Sequence, residues 1–300
     1  MPVSVLRAAA TGAGRLRTRA AAREGMKTPH LAPHLDRPDR LDRTARQRRD
    51  TLRKAITTAF AGELEASEID NHFTQMPARY WTQATAEVVA RHLELIHEFF
   101  LRLNGSDEAG TACIVRWQSV PARGVTTIEL CTWDRLGLLA KVAGALAAVG
   151  LNIVRADIFT RTDNVALDVF QVAEPTGSPV QHEARLRHMA ALLAAALKPG
   201  GALPARGAWP HATGPVAVDF DDSYSAEHTV LLVEAPDRVG LLSDIFTTLA
   251  AQQVNIAHAI ITTDNGRAGD VFYLTDDANR ALPAGDRQEQ LRGAICGVLG

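Results

Sequence analysis

Apolar and polar positions divide the chain into a start with little to bury, a helical stretch, and a long region where short strands alternate with helices. Over residues 39–64, Leu41, Ala45, Leu52, Ile56, Ala59 and Phe60 recur close to helical spacing, and Arg43, Arg46, Arg48, Arg49, Arg53 and Lys54 occupy much of the remainder. This predicts an amphipathic helix. A second helix is predicted over 84–103, where Val88, Val89, His92, Leu93, Ile96, Phe99, Phe100 and Leu103 form one apolar stripe and Asn104-Gly105 supplies a stop. His92 and His97 are five residues apart, which does not set two imidazoles on one helical face as ligands. Packing or surface roles are expected for both.

Beyond these helices the pattern is duplicated. Residues 127–156 align without a gap on 230–259 at a constant offset of 103, matching Asp134 with Asp237, Arg135 with Arg238, Gly137 with Gly240, and Asn152-Ile153 with Asn255-Ile256. After a one-residue shift, Asp168-Val169-Phe170 aligns on Asp270-Val271-Phe272. A period this long means two copies of a domain, because solenoid repeats run about 20 to 50 residues. In each copy a β-rich run (125–132, 229–235) precedes a helix (137–149, 240–252). Two strands follow (151–160 with 165–172, 254–263 with 268–275), joined at turns suited to hairpins, and a second helix closes the unit (182–197, 287–299). Residues 216–220 supply a fourth strand to the first copy, giving a βαββαβ, ferredoxin-like plan. The second copy lacks one, and the segment 112–118 is expected to fill that place. The fold class is thus α+β: two ferredoxin-like domains preceded by an α-helical region. Domain limits are placed at 1–38 for a disordered basic tail, 39–110 for the helical region, 111–222 for the first repeat with its preceding strand, and 223–300 for the second.

Composition narrows the functional classes. A net charge of -2 over 300 residues gives no global field toward nucleic acid or anionic lipid, so nucleic acid is disfavoured as a partner and no membrane is expected. A solvated charged face is the expected role of the basic helix. Cys113, Cys131 and Cys296 are odd in number and form no C-x-x-C, which argues against a disulfide framework or a zinc site and favours a reducing, cytoplasmic location. No run reaches the roughly 20 apolar residues of a membrane span. Residues 1–25 are rich in Arg and poor in acids, a composition that imitates a transit peptide but also suits a solvated tail, or a start at Met26 rather than Met1.

Candidate chemistry lies at the two strand-to-helix junctions, each reading Asp-Arg-x-Gly-Leu-Leu. A first helical turn leaves about four N–H groups unpaired and carries roughly half a positive charge, which suits a carboxylate. Asp134 and Asp237 are expected to cap the helices, and Arg135 and Arg238 to project toward an acid. Gly137 and Gly240 let a ligand approach the backbone, and Asn152 and Asn255 offer donor and acceptor to the polar groups of an amino acid. The candidate ligand-binding residues are Asp134, Arg135, Gly137, Leu138, Asn152 and Ile153 in the first repeat, and Asp237, Arg238, Gly240, Leu241, Asn255 and Ile256 in the second. Because Pro236 stiffens one turn and Trp133 crowds the other, the second repeat is expected to be the better site. No metal site and no cofactor are expected.

These repeats resemble ACT domains, and residues 68–300 are similar to the C-terminal part of bacterial PII uridylyltransferase/uridylyl-removing enzymes. The resemblance is carried by Met76-Pro77-x-Arg79-Tyr80, Ala90-Arg91-His92-Leu93, Ala166-Leu167-Asp168-Val169-Phe170 and Pro236-Asp237-Arg238-x-Gly240-Leu241-Leu242-Ser243-Asp244. It implies a regulatory protein of nitrogen metabolism that binds an amino acid, glutamine first, with a PII-type signalling protein, an enzyme, or a second copy of the chain as partner. Catalysis is not expected. Gly105-Ser106 is followed by Asp107 and Glu108 outside a nucleotidyltransferase frame, there is no His-Asp dipeptide, and neither a P-loop nor a nucleophile elbow is present. The alternative is an interaction module, a remnant of the larger enzyme that no longer binds a ligand.

Overall fold

The computed structural model describes residues 38–105, 111–205, 207, 209, 210 and 213–300. Apart from Pro38, the expected basic tail, with both candidate starts, lies outside the described residues. Helix α1 (Pro38–Ala59) is the expected amphipathic helix, ending earlier than its apolar spacing suggests, with Ala45, Leu52 and Ile56 buried. Part of its basic face is occupied within the chain: Arg48 Nε donates to the Ala84 carbonyl at 2.9 Å, and Arg53 pairs with Asp70 at 2.5 Å. Two short helices that the apolar spacing does not predict follow, α2 (Ala66–Gln75) and α3 (Tyr80–Gln83). Helix α4 (Ala86–Gly105) then carries the continuous stripe. His92 is buried, bonded to the Tyr80 hydroxyl at 2.9 Å, and His97 meets Glu68 at 2.9 Å, so both have the packing and surface roles their spacing suggests. No helix of the described residues is long and apolar enough to cross a membrane.

The repeats merge into one antiparallel sheet of eight strands. Strands β1 (Cys113–Val120), β2 (Val125–Trp133), β3 (Asn152–Thr160) and β4 (Val165–Ala173) form one half, in the order β1-β2-β4-β3. Strands β5 (Ala217–Phe220), β6 (Thr229–Pro236), β7 (Asn255–Asp264) and β8 (Arg267–Thr275) continue it as β7-β8-β6-β5. The expected assignment of the outer strands is corrected. β1 pairs with β2 along its whole length and completes the first repeat, while β5 pairs with β6 and completes the second. Each outer strand therefore joins the strand that follows it in the chain. The physical reason is local: Pro121–Arg123 and Gly124, at φ 68°, close β1 onto β2 as a hairpin, which costs less loop entropy than a crossing to the far repeat. The pairs Val115↔Leu130 and Val218↔Val233 are related by the same offset of 103 as the rest of the duplication.

Strand alternation sorts side chains between two layers. Ile128, Leu130, Phe170 and Val172 face α5 (Leu138–Ala148) and α6 (Glu183–Leu197), and the second repeat packs Leu231, Val233 and Phe272 against α7 (Leu241–Ala251) and α8 (Asp286–Leu299). On the opposite face of the first half, Ile114, Cys131, Phe159, Val165 and Leu167 meet Tyr80, Trp81, Leu93 and Phe99 of the N-terminal helices. The halves join at β3 and β7, where Asp157 stands opposite Ile260. These two residues hold the same position in their repeats, so a pseudo-two-fold axis passes between them.

Candidate functional site

Each β-to-α turn is held against the neighbouring hairpin. The Asp134 amide donates to the Asn164 carbonyl, and the Asp237 amide to the Gly266 carbonyl, both at 2.9 Å. Asn164, Asn265 and Gly266 have positive φ, as the hairpin turns require. Neither Asp caps its helix, contrary to expectation. The N-cap positions are Gly137 and Gly240, left-handed at φ 79° and 84°, and neither helix has a side-chain cap. Glycine is needed there for backbone geometry. A Cβ would meet Ala250 at 3.7 Å from Gly137, and Ala147 and the Arg238 guanidinium, both at 3.8 Å, from Gly240, ordinary contacts of which the alanine ones show the start of each of α5 and α7 lying beside the end of the other.

The pseudo-symmetry brings the sequence-predicted residues together across the repeats rather than within them. The first turn (Asp134, Arg135, Gly137, Leu138) shares a cavity with Asn255 and Ile256 of the second repeat. The second turn (Asp237, Gly240, Leu241) shares one with Asn152 and Ile153 of the first. Arg238 departs from this arrangement. It is buried and folds back onto its own helix, its guanidinium 2.6 Å from Asp244.

The two sites differ in state. Asn152 Nδ2 donates to Asp237 Oδ2 at 2.7 Å, and the cavity beside this closed pair is about 10 Å³, room for about one water molecule. At the first turn Asn255 donates to the Asp276 carbonyl at 3.3 Å, Asp134 accepts from Thr160 Oγ1 at 3.0 Å, and the cavity is about 500 Å³. That volume lies in the usual range of small-molecule sites, roughly 300–1,000 Å³. The larger cavity thus lies at the first turn, whereas the sequence pointed to the second. Trp133 does not crowd the first turn, because alternation along β2 sends it to the helical layer, where it packs edge-on against Phe99 at 5.4 Å. A charge difference accompanies the asymmetry. The residue that holds Arg238 is Asp244, whereas the equivalent position of the first repeat is Lys141, which donates to the Ala196 carbonyl at 2.6 Å. Burial and then the nearby Arg135 lower the Lys141 pKa, so the cation there opposes Arg135 instead of recruiting it.

Two residues outside the predicted set line these cavities, Asp168 at the first and Asp270 at the second. Both are buried carboxyls that accept one backbone bond, from the amides of Phe159 (3.4 Å) and Thr262 (3.3 Å). Their other oxygens have no hydrogen-bond partner among the described residues. Burial, and for each the aspartate of the adjoining turn, pushes these carboxyls well above the ordinary range. Asp237 is also raised, by burial, against the opposing bond from Asn152. The alignment of Asp168-Val169-Phe170 on Asp270-Val271-Phe272 is the sequence signal that marks the two acids. Thr275, opposite Asn255 in the ladder, adds a buried hydroxyl with no partner among the described residues to the first cavity, where the second has Ala173 opposite Asn152.

Residues 229–292 match the ACT domain. The chain is 32% identical to the bifunctional uridylyltransferase/uridylyl-removing enzyme of Gluconobacter oxydans (strain 621H), over 82% of the chain and 26% of that protein. It is 34% identical to the enzyme of the same name from Azospirillum brasilense, over 85% of the chain and 28% of that protein. The chain thus spans about a quarter of the length of the curated relatives it matches. A crystal structure of aspartate kinase from Synechocystis aligns over 59% of this chain and 27% of that one, at 19% identity and a TM-score of 0.35.

Proposed function

We propose, for a chain that carries an ACT domain and is homologous to the C-terminal part of the bifunctional uridylyltransferase/uridylyl-removing enzymes, that it is a regulatory module binding an α-amino acid, with glutamine the first candidate. The observation that carries this reading is the cavity of about 500 Å³ built from the Asp134 turn of one repeat and the Asn255 strand of the other. A zwitterion fits its chemistry. The α5 N-terminus and Arg135 favour a carboxylate, Asp134 favours an ammonium group, and Asn255 supplies both donor and acceptor. Ligand spanning both repeats would stabilise the Asp157–Ile260 junction, and a change there would be passed through the shared sheet. We take the first repeat as 113–198 and the second as 217–300. The relatives' names describe uridylylation and its reversal. This stretch is assigned neither activity, and a PII-type signalling protein is its candidate partner.

Thermal melting against the twenty amino acids tests the reading, because a ligand at 100 times its dissociation constant stabilises by about 2.7 kcal/mol. One or two amino acids are expected to raise the melting temperature, glutamine among them. A flat response to all twenty would favour the alternative, an interaction module without a ligand, for which the closed second site is a precedent within the same chain.

A further inference from the structure

The first cavity contains two buried polar groups that the Asp-Arg-x-Gly turn does not account for. Asp168 is 1% exposed and Thr275 3% exposed; Asp168 Oδ2 and Thr275 Oγ1 have no hydrogen-bond partner among the described residues, and both residues form part of the wall. A buried polar atom left unpaired is costly, so two around one cavity mark a place shaped for a polar guest. Asp168 and Asp134 line the same cavity, and the Asp134 charge adds to burial in raising the Asp168 pKa. A carboxylate guest at that point would meet the Asp134 charge, whereas a cation would be attracted by it and would favour the ionised form of Asp168.

We propose that Asp168 is a ligand-anchoring residue that, together with Asp134, receives the ammonium group of the bound molecule, which assigns the cavity to primary amines of the amino-acid class. The inference rests on the reading of this cavity as an amino-acid site. Its consequence is a proton. In the free protein burial and the Asp134 charge keep the Asp168 carboxyl protonated well above the ordinary carboxylate range. An arriving ammonium group, already positive, requires the ionised form, so the Asp168 proton leaves to solvent as the ligand binds. Other charged and titratable groups stand around Asp168. Arg135, Arg161 and, from the second repeat, Asp277 line the same cavity, and the thiols of Cys113 on β1 and Cys131 on β2 are pushed up by burial and stay neutral.

The test is calorimetry of the full chain with L-glutamine, in buffers of different ionisation enthalpy, from pH 5.5 to 8. Release of up to one proton is expected at the acid end. Affinity is expected to rise by up to about tenfold per pH unit until Asp168 ionises in the free protein, and to level off above that. Asp168→Asn, which is isosteric and neutral like the acid it replaces, should melt no lower than the parent. It should bind glutamine about 5- to 150-fold more weakly and without proton release. Glutaramate, which is glutamine without its α-amino group, should bind the parent weakly and lose nothing in the variant. Glutamine binding with unchanged affinity in Asp168→Asn and no proton release in the parent would overturn the anchor and leave the amino-acid site standing. If no amino acid binds the parent, the site itself fails, and the anchor with it.

Discussion

Asn152 donates a 2.7 Å hydrogen bond to Asp237 across the pseudo-two-fold axis, while the equivalent pair, Asn255 and Asp134, leaves that bond unmade. One duplicated constellation is thus present in two states. The closed pair acts within the fold, because it satisfies a mostly buried carboxylate whose pKa burial already raises. At the open pair the same residue types border a cavity of about 500 Å³.

The first prediction separates these roles. Asn152→Ala leaves Asp237 without its strongest donor, and a buried charged acceptor stripped of its partner costs on the order of 1–3 kcal/mol. Urea unfolding should show that loss. Asn255→Ala gives up only a 3.3 Å bond to a carbonyl and should cost less stability. In glutamine titrations it should lose about 5- to 150-fold in affinity. The asymmetry is refuted if both variants lose the same stability and neither changes binding.

The duplication made much of this legible. Matching Asp-Arg-x-Gly turns and matching Asn-Ile starts gave the strands, the helices and the identity of the residues that meet, because each is a short local pattern stated twice. The exchange of outer strands was not legible. β5 has four residues, too few for alternation to show, and completing βαββαβ in chain order overrode the nearer hairpin. Helix α2 is ten residues long and buries only Ile69, His72 and Phe73, so it carries little periodic signal. Asp168 sits inside the apolar run of β4, where a single acid marks the repeat without showing which face it takes. Trp133 could have been placed correctly. It alternates with Glu129 and Cys131, and that face turns away from the site.

A second prediction concerns acid. His72 is buried edge-on to Phe73, Tyr80 and Trp81, and neither ring nitrogen has a hydrogen-bond partner among the described residues. Burial first, then the charges of Arg161 and His92, hold its pKa well below the ordinary value. The folded state therefore keeps this imidazole neutral, while the unfolded chain takes up a proton as pH falls through about 6.5. A depressed histidine contributes stability above that pH and loses it below, by about 1.4 kcal/mol per pH unit until the folded pKa is reached. His72→Phe keeps a ring among the aromatics and removes the titration. Urea melts from pH 7.5 to 5 should show the variant gaining on the parent only below about 6.5. A difference that stays constant across that range would mean the ring is hydrated or paired in solution.

The last prediction asks what keeps the first site open. In the second repeat Arg238 and Asp244 form a pair at 2.6 Å, with side chains only 6% and 11% exposed, which draws the arginine onto the start of α7. Lys141, at the position of Asp244 in the first repeat, presents a cation to Arg135 instead. Lys141→Asp should place an acid where the second repeat has Asp244, draw Arg135 toward α5, and remove a cation from the place where a ligand carboxylate would dock. Glutamine affinity should drop about tenfold or more, since a charge-assisted bond is worth roughly 1.5–3 kcal/mol. Lys141→Met is the control, because it also loses the bond to the Ala196 carbonyl but offers Arg135 nothing. The reverse change, Asp244→Lys, strands a buried arginine and should cost about 3–5 kcal/mol in urea unfolding, as breaking one half of a buried ion pair does. Surviving protein should show weak binding at the second turn as well, read as a stoichiometry above one. If Lys141→Asp and Lys141→Met bind glutamine equally, the charge at this position does not set the asymmetry. The closed Asn152–Asp237 bond would then be the cause that distinguishes the two sites.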